Sequence, residues 1–459
     1  MRPTRWRRST HLLIAVAVLA VVTLVMALAA IITGGQPAVA GTAVTATPPP
    51  VTAHPGVVAV PDNAPKPTAG GLAAALTPEL ANPDLGTLGG RVTDALTANQ
   101  LWEQNSTVGM QPASTNKLLT ASAALLTLRP DTRVTTTVLA ADQPGVVVLV
   151  GGGDPTLSSA PPGQDSLYHG AGRIADLADQ IRRSGVTVSA IEVDTSAFTG
   201  PTLAPGWDPA DIQGGDVAPI EAMMVDGGRV LPATPDSVRS PTPALDAGRA
   251  LAADLTVNPQ AVSVTAAPVT GRQIAAVQSA PLIERLGDMM NVSDNVMAEC
   301  LAREVAKATQ RPESFDGGVQ AVTAALTAAK IDLTGASLVD SSGLSVNDRL
   351  TASTLDSVIE AAAGPGQPAL RPLLDALPVA GGSGTLANRY VDIQTDGAAA
   401  GWLRAKTGSL TGTNALAGVV TDVSGRVLTF ALISNNAGPT GRTAIDNVAA
   451  TLRSCGCES

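Results

Sequence analysis

Gln111-Pro112-Ala113-Ser114-Thr115-Asn116-Lys117, followed by an apolar helical run from Leu118 to Leu128, sets a serine and a lysine three residues apart at the start of a helix. At that spacing the two side chains stand over one face. A serine hydroxyl is a poor nucleophile until a base accepts its proton. A lysine amine can be that base only if burial or a neighbouring cation depresses its pKa. Because Ser114 begins the helix, its backbone N–H has no partner within the helix and lies at the positive end of the dipole. That N–H is a natural half of an oxyanion hole. The helix stops before Arg129-Pro130, where the proline forbids easy continuation.

Two further triplets complete this one. Ser293-Asp294-Asn295 falls inside a stretch of helical periodicity from Pro281 to Ala308, and Lys406-Thr407-Gly408 ends a strand-like segment from Gly401 to Thr407. Alone, each triplet has an ordinary reading: a helix cap, a turn, or a strand entering a turn. Together and in this order, S-x-x-K, S-D-N and K-T-G are the signature of the serine acyl enzymes that recognise penicillin. Ser114 is then the nucleophile and Lys117 its base, with Lys406 as the neighbouring cation. Ser293 can pass a proton to a leaving nitrogen, and Asn295 can hold a substrate amide. Lys406 and Thr407 would bind a carboxylate, and the Ser409 N–H, following Gly408, would be the second half of the oxyanion hole. Nucleophile with base, proton relay and anion clamp together specify acyl transfer from an amide that bears a nearby carboxylate.

Around these motifs the chain resembles class C low-molecular-weight penicillin-binding proteins, the D-alanyl-D-alanine carboxypeptidase/endopeptidase family of the S13 peptidase type. The resemblance covers most of residues 75–450. It rests also on Val150 to Leu157 (with Gly151-Gly152-Gly153-Asp154-Pro155), Pro205-Gly206-Trp207, Asp340 to Ser345, Gly384-Thr385-Leu386, Ala405 to Leu410 and Ser434-Asn435-Asn436. It implies an α+β fold of the β-lactamase/transpeptidase type, an antiparallel sheet with helices packed on its faces, carrying an inserted smaller domain. It implies peptidoglycan stem peptides as substrate, β-lactams as inhibitors and a Ser114 acyl-enzyme. It adds Asp154 to Thr407, Gly408 and Ser409 as a residue near the substrate. The family often has an arginine directly after its S-G-L-S segment, where this chain has Val346, with Arg349 three positions on. Two other readings are a β-lactamase and a wall-binding scaffold without turnover. The long gap between Ser114 and Ser293 and the lack of a clear E-x-x-L-N motif argue against the first. The intact set of polar residues argues against the second.

The rest of the chain fits an exported enzyme. Arg2, Arg5, Arg7 and Arg8 precede an apolar run from Leu12 to Ile32, and Ala38-Val39-Ala40 follows. Residues 1–40 therefore read as a signal peptide or a membrane anchor, and both remain open. Any membrane contact would come from residues 12–32. Residues 41–70, with Pro48-Pro49-Pro50, read as a Pro/Ala/Thr-rich linker. The catalytic domain is expected from 71–133 and 270–459, with an accessory domain of short strands, one clear helix and Pro/Gly loops at 134–269. A net charge of −10 argues against a nucleic-acid partner. Of 459 residues, 45% are hydrophobic and only 2% aromatic, so the core must be built from Ala, Val, Leu and Ile. No cofactor or metal is called for. Cys300 reads as a small buried hydrophobe, and the three histidines lie far in sequence from Cys455-Gly456-Cys457.

Overall fold

Strand and helix signals alternate irregularly along this chain, and the computed structural model resolves them into two sheets. It describes residues 63–392 and 396–456; the expected signal or anchor segment and most of the expected linker, residues 41–62, lie outside them. In chain order the elements are α1 (Ala69–Leu80), β1 (Thr87–Asp94), β2 (Gln100–Gln104), α2 (Lys117–Thr127), β3 (Thr135–Ala140), β4 (Val146–Val150) and α3 (Ile174–Ser184). Next come β5 (Ala190–Asp194), α4 (Ala210–Gly214), α5 (Pro243–Leu255), β6 (Val262–Thr265), β7 (Arg272–Gln278), α6 (Leu282–Val292) and α7 (Asn295–Ala308). The chain continues through α8 (Phe315–Ala328), α9 (Ala352–Ala363), α10 (Arg371–Ala376), β8 (Leu403–Leu410), β9 (Thr413–Thr421), β10 (Val427–Asn435) and α11 (Gly441–Ser454).

The first sheet runs β2-β1-β10-β9-β8, antiparallel throughout. Its strands obey the period of two that a sheet buried on both faces requires. Leu416, Val420, Leu428, Phe430 and Leu432 pack with Leu72 and Leu76 of α1 and with Ile445 and Val448 of α11. Burying each such large side chain is worth about 1.5–3 kcal/mol. The alternate residues Ala415, Ala417, Ala431 and Ile433 join Leu118 and Leu119 of α2 and Leu355 and Ile359 of α9. Alanines dominate this second face, which lets helices approach closely. Lys406 pairs in register with Ala417, so its side chain is directed to the face where α2 lies.

The second sheet runs β6-β5-β4-β3-β7. β4, β5 and β6 are parallel, and the connections between them carry α3 and α5. Leu177 and Ile181 of α3 and Leu251 of α5 bury Val147, Leu149 and Val193.

Several local expectations differ. The sequence pattern predicts short strands at Val92 to Leu101 and Thr107 to Met110. The first is interrupted, because the Asp94 carboxylate accepts from Leu96 N and Thr97 Oγ1 and Ala98 turns at φ 56°. The strand expected at Thr107 to Met110 reduces to one bridge between Met110 and Leu350. The region of 134–269 holds a second full helix, α5, opened by Pro243 at its first position. β7 lies beyond residue 269 yet pairs with β3 in the second sheet. The helical stretch Pro281 to Ala308 is two helices, because Ser293 adopts φ 61° and Asp294 caps the second by accepting from Met297 N.

Candidate active site

Ser114 sits in a single 3₁₀ turn, Ala113–Asn116, that leads directly into α2. Ala113 holds φ 47°, a conformation that costs an L-residue roughly 1–2 kcal/mol. Close packing from β8 keeps the turn in place. A Cβ on Gly408 would lie 2.7 Å from Pro112 O and 3.1 Å from Ser114 N. Gly408 is therefore a buried packing glycine that lets β8 approach the turn.

Lys117 is fully buried one turn above Ser114. Its Nζ lies 2.9 Å from Ser114 Oγ, 2.5 Å from Asn295 Oδ1 and 2.8 Å from Ser342 O. Burial lowers its pKa to about 8, against the opposing pull of the Asp340, Asp294 and Glu299 carboxylates. The partners decide which part of a neutral amine faces Ser114. A neutral amine has two N–H bonds and one lone pair. Ser342 O is a carbonyl, which can only accept. Asn295 donates its Nδ2 to Asp216 O at 3.0 Å, so its Oδ1 is the atom facing Lys117 and also only accepts. With both N–H bonds engaged, the lone pair is left for the Ser114 hydroxyl.

Lys406 is also fully buried; its Nζ donates to Ser293 Oγ at 2.9 Å and to Thr407 O at 2.8 Å. Burial, then Lys117, then Arg389 push its pKa well below the usual lysine value. Thr407 Oγ1 donates to Thr385 Oγ1 at 2.8 Å. Ser114, Ser293, Asn295, Thr407 and Ser409 all open on one cleft of about 770 Å³. The geometry thus gathers Ser114, Lys117, Ser293, Asn295, Lys406, Thr407 and Ser409.

Asp154 is not among them. It is 3% exposed, and its carboxylate accepts from Thr156 N at 2.8 Å and Thr156 Oγ1 at 2.6 Å. Burial raises its pKa while these bonds oppose the rise. It closes the turn after β4, as an Asp-Pro-Thr sequence readily does.

Residues that the motifs did not reveal also line the cleft: Asp208, Asp211 and Asp216, and Thr385, Arg389 and Arg442. Arg389 is held by Asp446 through Nε and a second nitrogen. The signals lay beside segments already singled out. Asp208 and Asp211 follow Pro205-Gly206-Trp207, and Arg389 follows Gly384-Thr385-Leu386. The Asp340 to Ser345 segment proves to be scaffolding. The Asp340 carboxylate accepts from Trp207 Nε1 and from the backbone N–H groups of Ser342, Gly343 and Ser345, and so presents the Ser342 carbonyl to Lys117. Among the described residues no cluster of His, Cys, Asp or Glu is arranged to hold a metal ion. Cys300 is a free, buried thiol on α7.

This fold is that of penicillin-binding protein 4 from Haemophilus influenzae, whose crystal structure superposes with a TM-score of 0.69 at 23% identity, covering 84% of this chain and 98% of that one. It is the α+β transpeptidase-like fold expected from the motifs. The chain belongs to the D-Ala-D-Ala carboxypeptidase 3 (S13) family, whose sequence profile matches residues 72–237 and 232–453. A second profile, the N-terminal domain of Carboxypeptidase Rv3627c-like proteins, matches residues 1–59. The chain is 66% identical to carboxypeptidase DacB of Mycolicibacterium smegmatis and 62% identical to a carboxypeptidase of Mycobacterium tuberculosis, over the full length of both chains in each case.

Proposed function

We propose that the chain is a serine-type D-Ala-D-Ala carboxypeptidase that trims peptidoglycan stem peptides, with cleavage of cross-links as an accompanying endopeptidase activity. The observation that carries this reading is the Lys117 amine, with two acceptor-only partners and its remaining valence on Ser114 Oγ. Ser114 Oγ attacks the carbonyl of the penultimate D-Ala as its proton passes to Lys117. The Ser114 and Ser409 N–H groups receive the oxyanion. Ser293, backed by Lys406, delivers a proton to the leaving nitrogen, and D-alanine departs. Water then attacks the Ser114 ester and restores the hydroxyl. A β-lactam enters the same first step: its ring C–N bond breaks, the nitrogen stays tethered, and the opened acyl group forms an ester with the same Ser114 oxygen. Such penicillin binding accords with relatives of this fold, one of which is described in complex with a β-lactam.

The pH dependence follows from Lys117. Its amine is the base only when neutral, and its pKa is about 8. Acylation by penicillin should therefore rise with pH, about tenfold per unit below that value, and level off above it. A rate that stays flat between pH 6 and 9, measured at fixed ionic strength, would remove Lys117 as the titrating base.

The cleft lining carries charges of both signs. Arg389, Arg442 and the Thr407 hydroxyl suit the terminal carboxylate of the substrate. Asp208, Asp211 and Asp216 suit a cation elsewhere on it, such as a free amine on the stem-peptide side chain. Asp211 has its pKa raised by burial and then by Asp216, which a bound ammonium would relieve. Asp211→Asn should raise KM about tenfold for a peptide with a free side-chain amine and leave its N-acetylated form nearly unchanged. Equal effects on both peptides would dismiss this wall as a recognition surface.

The segment between the first two triplets is an accessory lobe on this reading, inserted in a catalytic domain of 71–133 and the chain after it. Its expected end is residue 269, and the pairing of β7 with β3 supports counting Arg272–Gln278 with the same lobe. Action on the cell wall puts the enzyme outside the cytoplasm. Among the described residues no helix is long and apolar enough to cross a membrane. A signal or anchor role for residues 1–40, with 12–32 as the membrane-contacting run, is part of this proposal.

A further inference from the structure

Asp294, the middle residue of the second triplet, faces away from the chemistry yet is the most heavily engaged of the three. It is buried, and its Oδ1 accepts from Met297 N at 3.1 Å. Its Oδ2 accepts from Tyr168 Oη at 2.7 Å and Arg229 at 3.1 Å, with Arg239 at 3.9 Å. These three side chains come from the segment between the first and second triplets, and all are buried. They are fastened in turn. Arg229 donates to Tyr168 Oη at 2.7 Å, to Asp226 O at 3.1 Å and to Pro235 O at 3.1 Å. Arg239 donates to Gly215 O at 2.9 Å and to Gly227 O at 2.5 Å. Gly215 precedes Asp216, whose carbonyl orients the Asn295 amide.

The turn so gripped is strained. Ser293 holds φ 61°, a left-handed conformation that only a surrounding structure maintains in a non-glycine residue. Relaxed, it would carry Ser293 Oγ off Lys406 and swing Asn295 off Lys117. Burial opposes charge on Asp294, but Arg239 and Arg229, with the Tyr168 hydroxyl, hold its carboxyl well below the ordinary range, so the grip is ionic.

We infer that Tyr168 and Arg229 are positioning residues for the acyl-transfer reaction: by holding Asp294 they fix the left-handed turn that aims Ser293 at Lys406 and Asn295 at Lys117. The segment between the first two triplets is thus a working part of the catalytic centre, beyond shaping access to it. The inference rests on the serine acyl-enzyme reading above.

Tyr168→Phe tests it in the full chain, since it removes one hydroxyl and keeps the ring. The readouts are the first-order acylation rate at saturating fluorescent penicillin, normalised to active sites counted after exhaustive labelling, the penicillin concentration at half-saturation, and the melting temperature. The acylation rate should fall about 10–100-fold, the loss that small misplacements near a reacting centre produce, with the half-saturating concentration little changed. Asp294→Asn should fall by at least as much. The double variant should be no slower than Asp294→Asn alone, because the hydroxyl acts through that carboxylate. Wild-type acylation per active site in Tyr168→Phe, with only a lowered melting temperature, would reduce the cluster to a stability element and overturn the inference. So would losses that multiply in the double variant. Labelling of the unaltered chain tests the acyl-enzyme reading separately.

Discussion

Ser114→Ala is expected to abolish release of D-alanine from a stem pentapeptide and all covalent labelling by penicillin, with the fold retained. The loss of labelling should be complete because the acyl-enzyme is an ester of this one oxygen, and turnover should fall to near the uncatalysed rate. Ser293, another triplet hydroxyl on the cleft, accepts a hydrogen bond from Lys406. Binding and the oxyanion donors survive the change, so a trace of rate above the uncatalysed reaction is compatible with the account. Stability should shift by no more than about 1 kcal/mol, the net worth of one hydrogen bond. Lys117 keeps its bonds to Asn295 and Ser342. Circular dichroism and a thermal melt check the fold, and a D-alanine assay checks the activity. Turnover within tenfold of the unaltered enzyme would remove Ser114 from the mechanism.

Lys117→Ala should slow acylation by about 10²–10⁴-fold, the usual worth of a positioned general base. It also strips a donor from two buried acceptors, costing about 1–3 kcal/mol for each left unsatisfied. Lys117→Arg separates the base from the mere cation. Arginine can satisfy the acceptors and keep the charge but does not release a proton near neutral pH. If Lys117 works as a base, both variants should be slow in a stopped-flow measurement of penicillin acylation. If arginine restores the rate, the residue acts by charge alone.

Much of this site was legible because its chemistry is written in short-range spacing. Three residues of helix bring Lys117 over Ser114, and the same geometry can be counted from the chain. What joins Lys117 to Asn295, or Lys406 to Ser293, is tertiary, and only the joint presence of the three triplets hinted at it. β8 was readable from the strand-like segment Gly401 to Thr407, while β6 and β7 were not. Val262–Thr265 is four residues long and largely exposed, so it carries no burial pattern. α5 was hidden by the Pro and Gly around it, though Pro243 at a first helical position is itself a start signal. The Asp154 carboxylate is used locally, in a buried Asp-Pro-Thr turn. The acidic wall escaped notice because Asp208, Asp211 and Asp216 sit in and beside a five-residue helix whose direction no local pattern fixes. The Asp294 cluster escaped for a related reason: its partners at 168, 229 and 239 are scattered and lack any common spacing.

The account centres on one covalent bond, and mapping that bond is its most direct test. The full chain is incubated with labelled penicillin, digested, and the modified peptide sequenced by mass spectrometry. The label should sit on Ser114, in the peptide that also contains Lys117 or ends at it. A label on Ser293, Ser409 or any other residue, or no label on a protein shown to be folded, would contradict the account.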